Sequence, residues 1–262
     1  MEIISEELRL VEDSLRNLFL QNNDVLKELN KFLLGSSKRI RSKLCILYLK
    51  SNNVDIDENI INLLSAGEIM HNASLLHDDV IDESEIRRGE KTIGKNFNNK
   101  TSILCGDLLV SIAVTNLIKI KSDKVLNNFI DCTKKMSLAE ISQYLLRDKV
   151  PSSKEYIDIC AGKTSSLFSA ILKSAAYICG LDCENADILG KNFGILFQIK
   201  NDLLKHSASN DKKNGVHTAL DVFGIEKTNH LIDNYKEELL SLIRKYPENI
   251  YRRGLEDLVK EI

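Results

Sequence analysis

Only two prolines, Pro151 and Pro247, occur among the 262 residues, and neither interrupts a long apolar-periodic segment. A proline inside a helix removes a hydrogen bond and clashes with the preceding turn. A chain that avoids it over such lengths is free to be helical almost throughout. The twelve glycines are also too few for a sandwich or barrel, which needs turn residues about every ten positions. Apolar residues recur with the helical period near 3–34, 38–51, 57–82, 100–120, 122–147, 153–161, 163–180, 184–206, 226–244 and 248–261. The class read from this pattern is all-α, with no repeat or linker dividing the chain. Three polar stretches remain. Lys121–Lys124 has the length of a helix–helix turn, whereas Glu83–Lys100 and His206–Gly215 need another explanation.

The chain is 43% hydrophobic and 28% charged, with 36 basic and 38 acidic residues and a formal net charge of −2. That is the composition of a globular protein with core to spare at this length, and it argues against a nucleic-acid partner. The six cysteines, Cys45, Cys105, Cys132, Cys160, Cys179 and Cys183, form no CxxC pair, and the opening MEIISEELRL reads as an acidic helix rather than a signal peptide. The expectation is a reduced, cytoplasmic protein whose cysteines are small core residues. The longest apolar stretch, Ile103 to Ile118, contains Asp107 and is too short to span a bilayer, so no transmembrane segment is expected.

The densest chemical signal runs from His77 to Gly89, where Asp78, Asp79, Asp82, Glu83 and Glu85 crowd the end of a mostly apolar helix. On a helix Asp78 and Asp82 are an i,i+4 pair and Asp79 and Asp82 an i,i+3 pair, so the acids repel. They also stand at the wrong end for the macrodipole. Charge runs are usually only solvated surface. The apolar approach Ala73-Ser74-Leu75-Leu76 favours acids facing a cavity, where hard oxygen ligands suit Mg²⁺ held jointly with phosphates. Arg87 and Arg88 follow, and guanidinium forks match phosphate oxygens. A second basic cluster, Lys38-Arg39-Ile40-Arg41, follows Gly35-Ser36-Ser37 and opens a helix, with Lys38 and Arg41 on one face as a second anion site. Together the clusters suggest two diphosphates brought together.

These residues resemble the trans-isoprenyl (polyprenyl) diphosphate synthases. His71 to Asp82, continuing to Arg87-Arg88-Gly89, is similar to that family's first aspartate-rich motif, DDxxD, with its trailing arginines. Ser36 to Arg41 is similar to GGKRxR, Gly106-Asp107-Leu108-Leu109 to GDxLL, and Gly162-Lys163-Thr164 to the K-T step. Glu140 and Gln143 fit the helix bearing a characteristic glutamine, and Phe197-Gln198 opens the second motif's place. The resemblance covers essentially the whole chain. It implies a single domain, 1–262, of the isoprenoid-synthase type: roughly ten to twelve helices around a deep central cavity, with the metal cluster at its mouth, assembled as a homodimer.

Carried over position by position, it implies that Asp78 and Asp82 hold Mg²⁺ bridging an allylic diphosphate, with Asp79 in support. Arg87 and Lys163 would contact that diphosphate, and Lys38, Arg41, His71 and Arg88 the diphosphate of isopentenyl diphosphate. Thr164, Gln143 and Gln198 are further substrate-site candidates. Gln143 is equally a group that satisfies buried backbone, and His77 reads as a core or capping histidine. The implied chemistry needs no side-chain nucleophile: charge must be stabilised on a departing diphosphate in a water-poor pocket.

The second motif departs from the family. Asn201-Asp202-Leu203-Leu204-Lys205 keeps only Asp202, and the following segment is shortened and lacks the GKP lysine. The resemblance therefore implies two or three Mg²⁺ ions, held by Asp78 and Asp82, with Asp202 kept as a catalytic candidate. Lys205 either points into the site as a substitute cation or is solvated. One turn below Asp78 stand Ala73 and Ser74. Both are small, and with Met70 and Gly67 on the next turn the resemblance implies an open tunnel and a product of about four isoprene units (C20) or more. The function read is Mg²⁺-dependent condensation of isopentenyl diphosphate with an allylic diphosphate to an all-trans polyprenyl diphosphate. A catalytically impaired or regulatory subunit of a heteromeric synthase is the alternative favoured by Asn201 and Lys205. A class I terpene cyclase would not need Lys38, Arg41, His71 and Arg88.

Overall fold

The structure is a computed structural model. It describes residues 2–16, 18–19, 23–35, 37–205 and 215–262, with only the backbone of Lys205. The chain is all-α. A 3₁₀ turn at Glu2–Ile4 leads into α1 (Ser5–Arg16), α2 (Asp24–Leu34), α3 (Ile40–Ser51) and α4 (Glu58–Ile81). A two-stranded hairpin, β1 (Ile86–Arg87) and β2 (Glu90–Lys91), precedes α5 (Ile93–Asn96), α6 (Asn99–Lys119), α7 (Asp123–Leu145) and α8 (Ser153–Cys160). A π turn at Ala161–Ser165 then opens α9 (Ser166–Ile178), followed by α10 (Cys183–Lys205), α11 (Ala219–Ile243) and α12 (Ile250–Glu261). The helices fall into two compact units, Met1–Ile46 with Ile56–Leu126, and Leu47–Asp55 with Asn127–Ile262.

In the first unit α4 is the central helix. Asp57 caps it by accepting from Ile60 N at 2.9 Å, and every residue from Leu63 to Met70 is buried. A helix apolar on all sides must be enclosed, and each large aliphatic it buries contributes about 1.5–3 kcal/mol. α6 lies along it: Ser102 Oγ donates to Leu76 O at 3.0 Å, and a Cβ at Gly106 would collide with the His77 imidazole. α1 covers another side, burying Val11 and Leu15, with a Ser14–Ser65 hydroxyl contact.

In the second unit α9 and α10 approach closely because Gly190 and Gly194 face Ser169 and Ser165, where any Cβ would strike the neighbouring helix. Phe168 packs against Phe193 and Phe197 at ring-centroid distances of 5.3 and 5.7 Å. The cysteines are free thiols, four buried and two half-buried.

Local chemistry explains where the elements differ from the periodic pattern. The 3–34 segment is not one helix, because Asn23 starts a new one, its side chain accepting from Leu26 N at 2.9 Å. α11 begins at Ala219, seven residues before the expected 226, because Thr218 and Asp221 form a capping box. The periodicity is broken at Gly224, whose φ of 73° kinks the helix. The polar stretch after Glu83 holds the hairpin and α5. Arg88 and Gly89, with φ of 53° and 81°, make its two-residue turn, and left-handed backbone at both positions matches the twist of a hairpin. The stretch read as too short to span a bilayer continues into polar residues at both ends as the 21-residue α6, which by length and composition alone is long and apolar enough to cross a membrane.

Candidate active site

Two groups of expected site residues assemble, one in each unit. In the first, Asp78 and Asp82 stand one helical turn apart at the end of α4, Asp82 N donating to Asp78 O at 2.8 Å. Both are half-buried. Asp79 points elsewhere. It is 3% exposed, and its Oδ1 accepts from Arg87 Nε at 2.6 Å. Burial pushes its carboxyl above the usual range, opposed by the Arg87 charge. Its buried Oδ2 has no hydrogen-bond partner.

His71 lies in the field of four arginines. Burial first, then the charges of Arg41, Arg88, Arg87 and Arg39, hold its imidazole well below the ordinary value, so it is neutral at pH 7. Arg88, at the first position of the hairpin turn, has its guanidinium 5.9 Å from the Phe32 ring centroid. Arg41 is buried on the first turn of α3, and Lys38 is exposed just before it. Ser36 lies outside the described residues.

The sequence reading missed the brace behind this basic segment. Arg39, between Lys38 and Arg41, adopts φ of 47° and reaches Glu68 of α4, Nη1 to Oε2 at 3.4 Å, with both side chains at most 4% exposed. Its Nη2 donates to Leu33 O at 2.7 Å. Glu68 Oε1 accepts from Ser42 Oγ at 2.7 Å and from Ser42 N at 3.3 Å. The available signal was a lone carboxylate inside an otherwise apolar helix, which cannot be buried without partners.

His77 packs against Gly106, with Nε2 3.4 Å from Asp107 Oδ1 and from Ile103 O. Met70 and Ala73 are buried on α4, and Ser74 Oγ donates to His71 O at 2.8 Å.

The second group surrounds the π turn. Such turns interrupt a helix at a cost and recur at functional sites. Gly162 permits it to lie against α7, where a Cβ would meet Ala139. Lys163 Nζ lies 2.5 Å from Glu140 Oε2 and donates to Gln143 Oε1 at 2.7 Å. Thr164 Oγ1 donates to Gln198 Oε1 at 2.8 Å, and Gln198 Nε2 donates to Asp202 Oδ1 at 2.7 Å. Asp202 is 7% exposed, and its Oδ2 accepts from Tyr156 OH at 2.6 Å and Ala219 N at 3.0 Å. Burial beside this carboxylate raises the Tyr156 hydroxyl far above its ordinary range and pushes the Cys160 thiol up to about 12. The direction of the Lys205 side chain and the segment 206–214 lie outside the described residues.

Among the described residues no three His, Cys, Asp or Glu side chains gather as a closed metal cage. The donor set of α4 fits Mg²⁺ nonetheless. Mg²⁺ is commonly bound through one or two carboxylates, keeping its other positions for water and phosphate, and Asp78 and Asp82, half-buried and one turn apart, are two such carboxylates. The second motif's place does not fit in the same way, since both oxygens of Asp202 already accept from protein donors.

Comparison with known proteins agrees with this geometry. The family model for polyprenyl synthetase matches residues 23–246, and the chain belongs to that family. It is similar to a prenyl transferase of Cyanidium caldarium, 32% identical over 254 residues that cover 91% of this chain and 79% of the relative. It is also similar to an octaprenyl diphosphate synthase of Haemophilus influenzae, 33% identical over 67% of this chain and 54% of that one. The fold superposes on the crystal structure of a geranyltranstransferase from Thermotoga maritima with a TM-score of 0.84 and 27% identity, covering 97% of this chain and 98% of that one.

Proposed function

We propose that this chain is a prenyltransferase that joins isopentenyl diphosphate to an allylic diphosphate. The observation that carries the reading is in the first unit: Asp78 and Asp82 one turn apart at the end of α4, with Arg87 anchored on Asp79 and His71 in the field of Arg39, Arg41, Arg87 and Arg88. One part suits a divalent cation shared with phosphate, the other a diphosphate. The family model supports treating 1–262 as a single catalytic domain, since it runs through parts of both units.

In the reaction the allylic C–O bond breaks and the departing diphosphate keeps the electron pair. The double bond of isopentenyl diphosphate then attacks the allylic carbon, and the resulting cation gives up a proton to the departed diphosphate as the alkene re-forms. When bound, Mg²⁺ supplies charge stabilisation to the departing diphosphate. Asp78 and Asp82 would hold it. Arg87, fixed in direction by Asp79, neutralises developing charge without reorganising. Lys38, Arg41, Arg88 and His71 bind the other diphosphate, the imidazole of His71 acting as a hydrogen-bond donor. Lys163, braced by Glu140 and Gln143, is the cation that the second unit offers a diphosphate.

The small Ala73 and Ser74 support an elongating product of about C20 or more. The exposed stripe Leu104, Leu108 and Ile118 on α6 supports a homodimer through that helix. The free thiols support a reducing, cytoplasmic setting. A second reading, a weakly active subunit of a heteromeric synthase, is favoured by Asn201 and by the engagement of Asp202. Incubation with Mg²⁺, labelled isopentenyl diphosphate and allylic primers of increasing length tests both. Chain-extended products establish the enzyme, and binding without extension establishes the subunit.

A further inference from the structure

We propose that Asp202, the one acid retained at the second motif's place, is a positioning residue that braces the Lys163-Thr164 turn, and that it holds no metal ion. For the role of Lys163 this rests on the function proposed above; for the metal it rests on geometry alone.

A carboxylate offers a cation only the lone pairs that protein donors leave, and at Asp202 three of about four are taken. Asp202 Oδ2 accepts from the Tyr156 hydroxyl at 2.6 Å and from Ala219 N at 3.0 Å, and Oδ1 accepts from Gln198 Nε2 at 2.7 Å. The residue is 7% exposed. Turning it toward a metal would leave a buried phenol and a buried helix-starting N–H without their acceptor. Ala219 is the first residue of α11, so the carboxylate also sits where the helix dipole favours negative charge. Asn201 before it is neutral and offers no replacement charge.

The same bonds lead to the π turn. With Asp202 accepting, the Gln198 amide must present its NH₂ to that carboxylate and its oxygen to Thr164, which donates at 2.8 Å. Tyr156 on α8, Asp202 and Gln198 on α10, the start of α11 and Thr164 are thereby one connected set, and Thr164 adjoins Lys163.

The test uses the full chain and the variants Asp202→Asn, Tyr156→Phe, their double mutant and Asp78→Asn. Mn²⁺ is titrated by paramagnetic resonance in the presence of inorganic diphosphate, alongside thermal unfolding and steady-state kinetics. Asp202→Asn and Tyr156→Phe should bind as many Mn²⁺ ions as the parent. Each should raise KM for the allylic diphosphate about tenfold without moving KM for isopentenyl diphosphate, and the double mutant should be no worse than the more severe single one. Loss of one Mn²⁺ in Asp202→Asn, with Tyr156→Phe behaving as the parent, overturns the proposal. If Asp202→Asn does not fold, Tyr156→Phe decides: tighter Mn²⁺ binding, from a carboxylate released to the metal, also overturns it. Asp78→Asn keeps the two readings apart, because undiminished Mn²⁺ binding there would count against the site on α4 and leave the Asp202 brace standing.

Discussion

The ammonium of Lys163 lies 2.5 Å from Oε2 of Glu140, on α7 three residues before Gln143. The pair holds a half-buried cation in one direction before any substrate arrives, which is what electrostatic preorganisation requires. Lys163→Met should lower kcat/KM about 100-fold. It should also cost about 1 kcal/mol of stability by leaving Glu140 unpaired. Adding Glu140→Gln should restore stability and leave activity low, which chemical denaturation and steady-state rates on the two variants check.

The buried pair Arg39–Glu68 carries a larger energy. Both side chains are at most 4% exposed, and removing one partner of such a pair costs about 3–5 kcal/mol. Glu68→Ala is expected to lower the thermal midpoint by roughly 10 °C. Because Arg39 stands between Lys38 and Arg41, KM for isopentenyl diphosphate should rise as well. A midpoint within about 2 °C of the parent would mean that the brace is dispensable.

His71 gives a pH dependence whose sign follows from its surroundings. Its folded pKa is depressed below the unfolded value of about 6.5 by burial and by Arg41, Arg88, Arg87 and Arg39. The unfolded chain therefore binds the proton first as pH falls. The stability contributed by neutral His71 is complete above about pH 6.5 and is lost progressively down to the folded pKa. Unfolding midpoints measured at a series of pH values should show this loss in the parent and a smaller one in His71→Asn.

Gly106 and His77 exchange space across α4 and α6. Gly106→Ala should destabilise by about 1–3 kcal/mol through overpacking. His77→Ala should relieve most of that in the double mutant, a coupling that a thermal double-mutant cycle reads directly.

The all-α class was legible because the helical period runs through nearly the whole chain and proline hardly intervenes. Asp78 and Asp82 were legible as a pair because spacing fixes which residues share a helix face. Spacing does not say what closes over a side chain, so Asp79 could be placed on α4 but not known to turn inward onto Arg87. The hairpin was missed because two-residue strands are too short to show alternation, although Arg88-Gly89 carried its turn. Tyr156 and Asp202 are 46 residues apart, and Arg39 and Glu68 are 29 apart. No local pattern links either pair, and only packing brings them together.

Extension of an allylic primer by labelled isopentenyl diphosphate, assayed with and without Mg²⁺ in the parent and in Asp78→Asn, bears most directly on the proposed function. The account predicts metal-dependent products of about C20 or longer in the parent and at least a 100-fold lower rate in the variant. A folded protein that binds the primer with Mg²⁺ yet incorporates no label would contradict it.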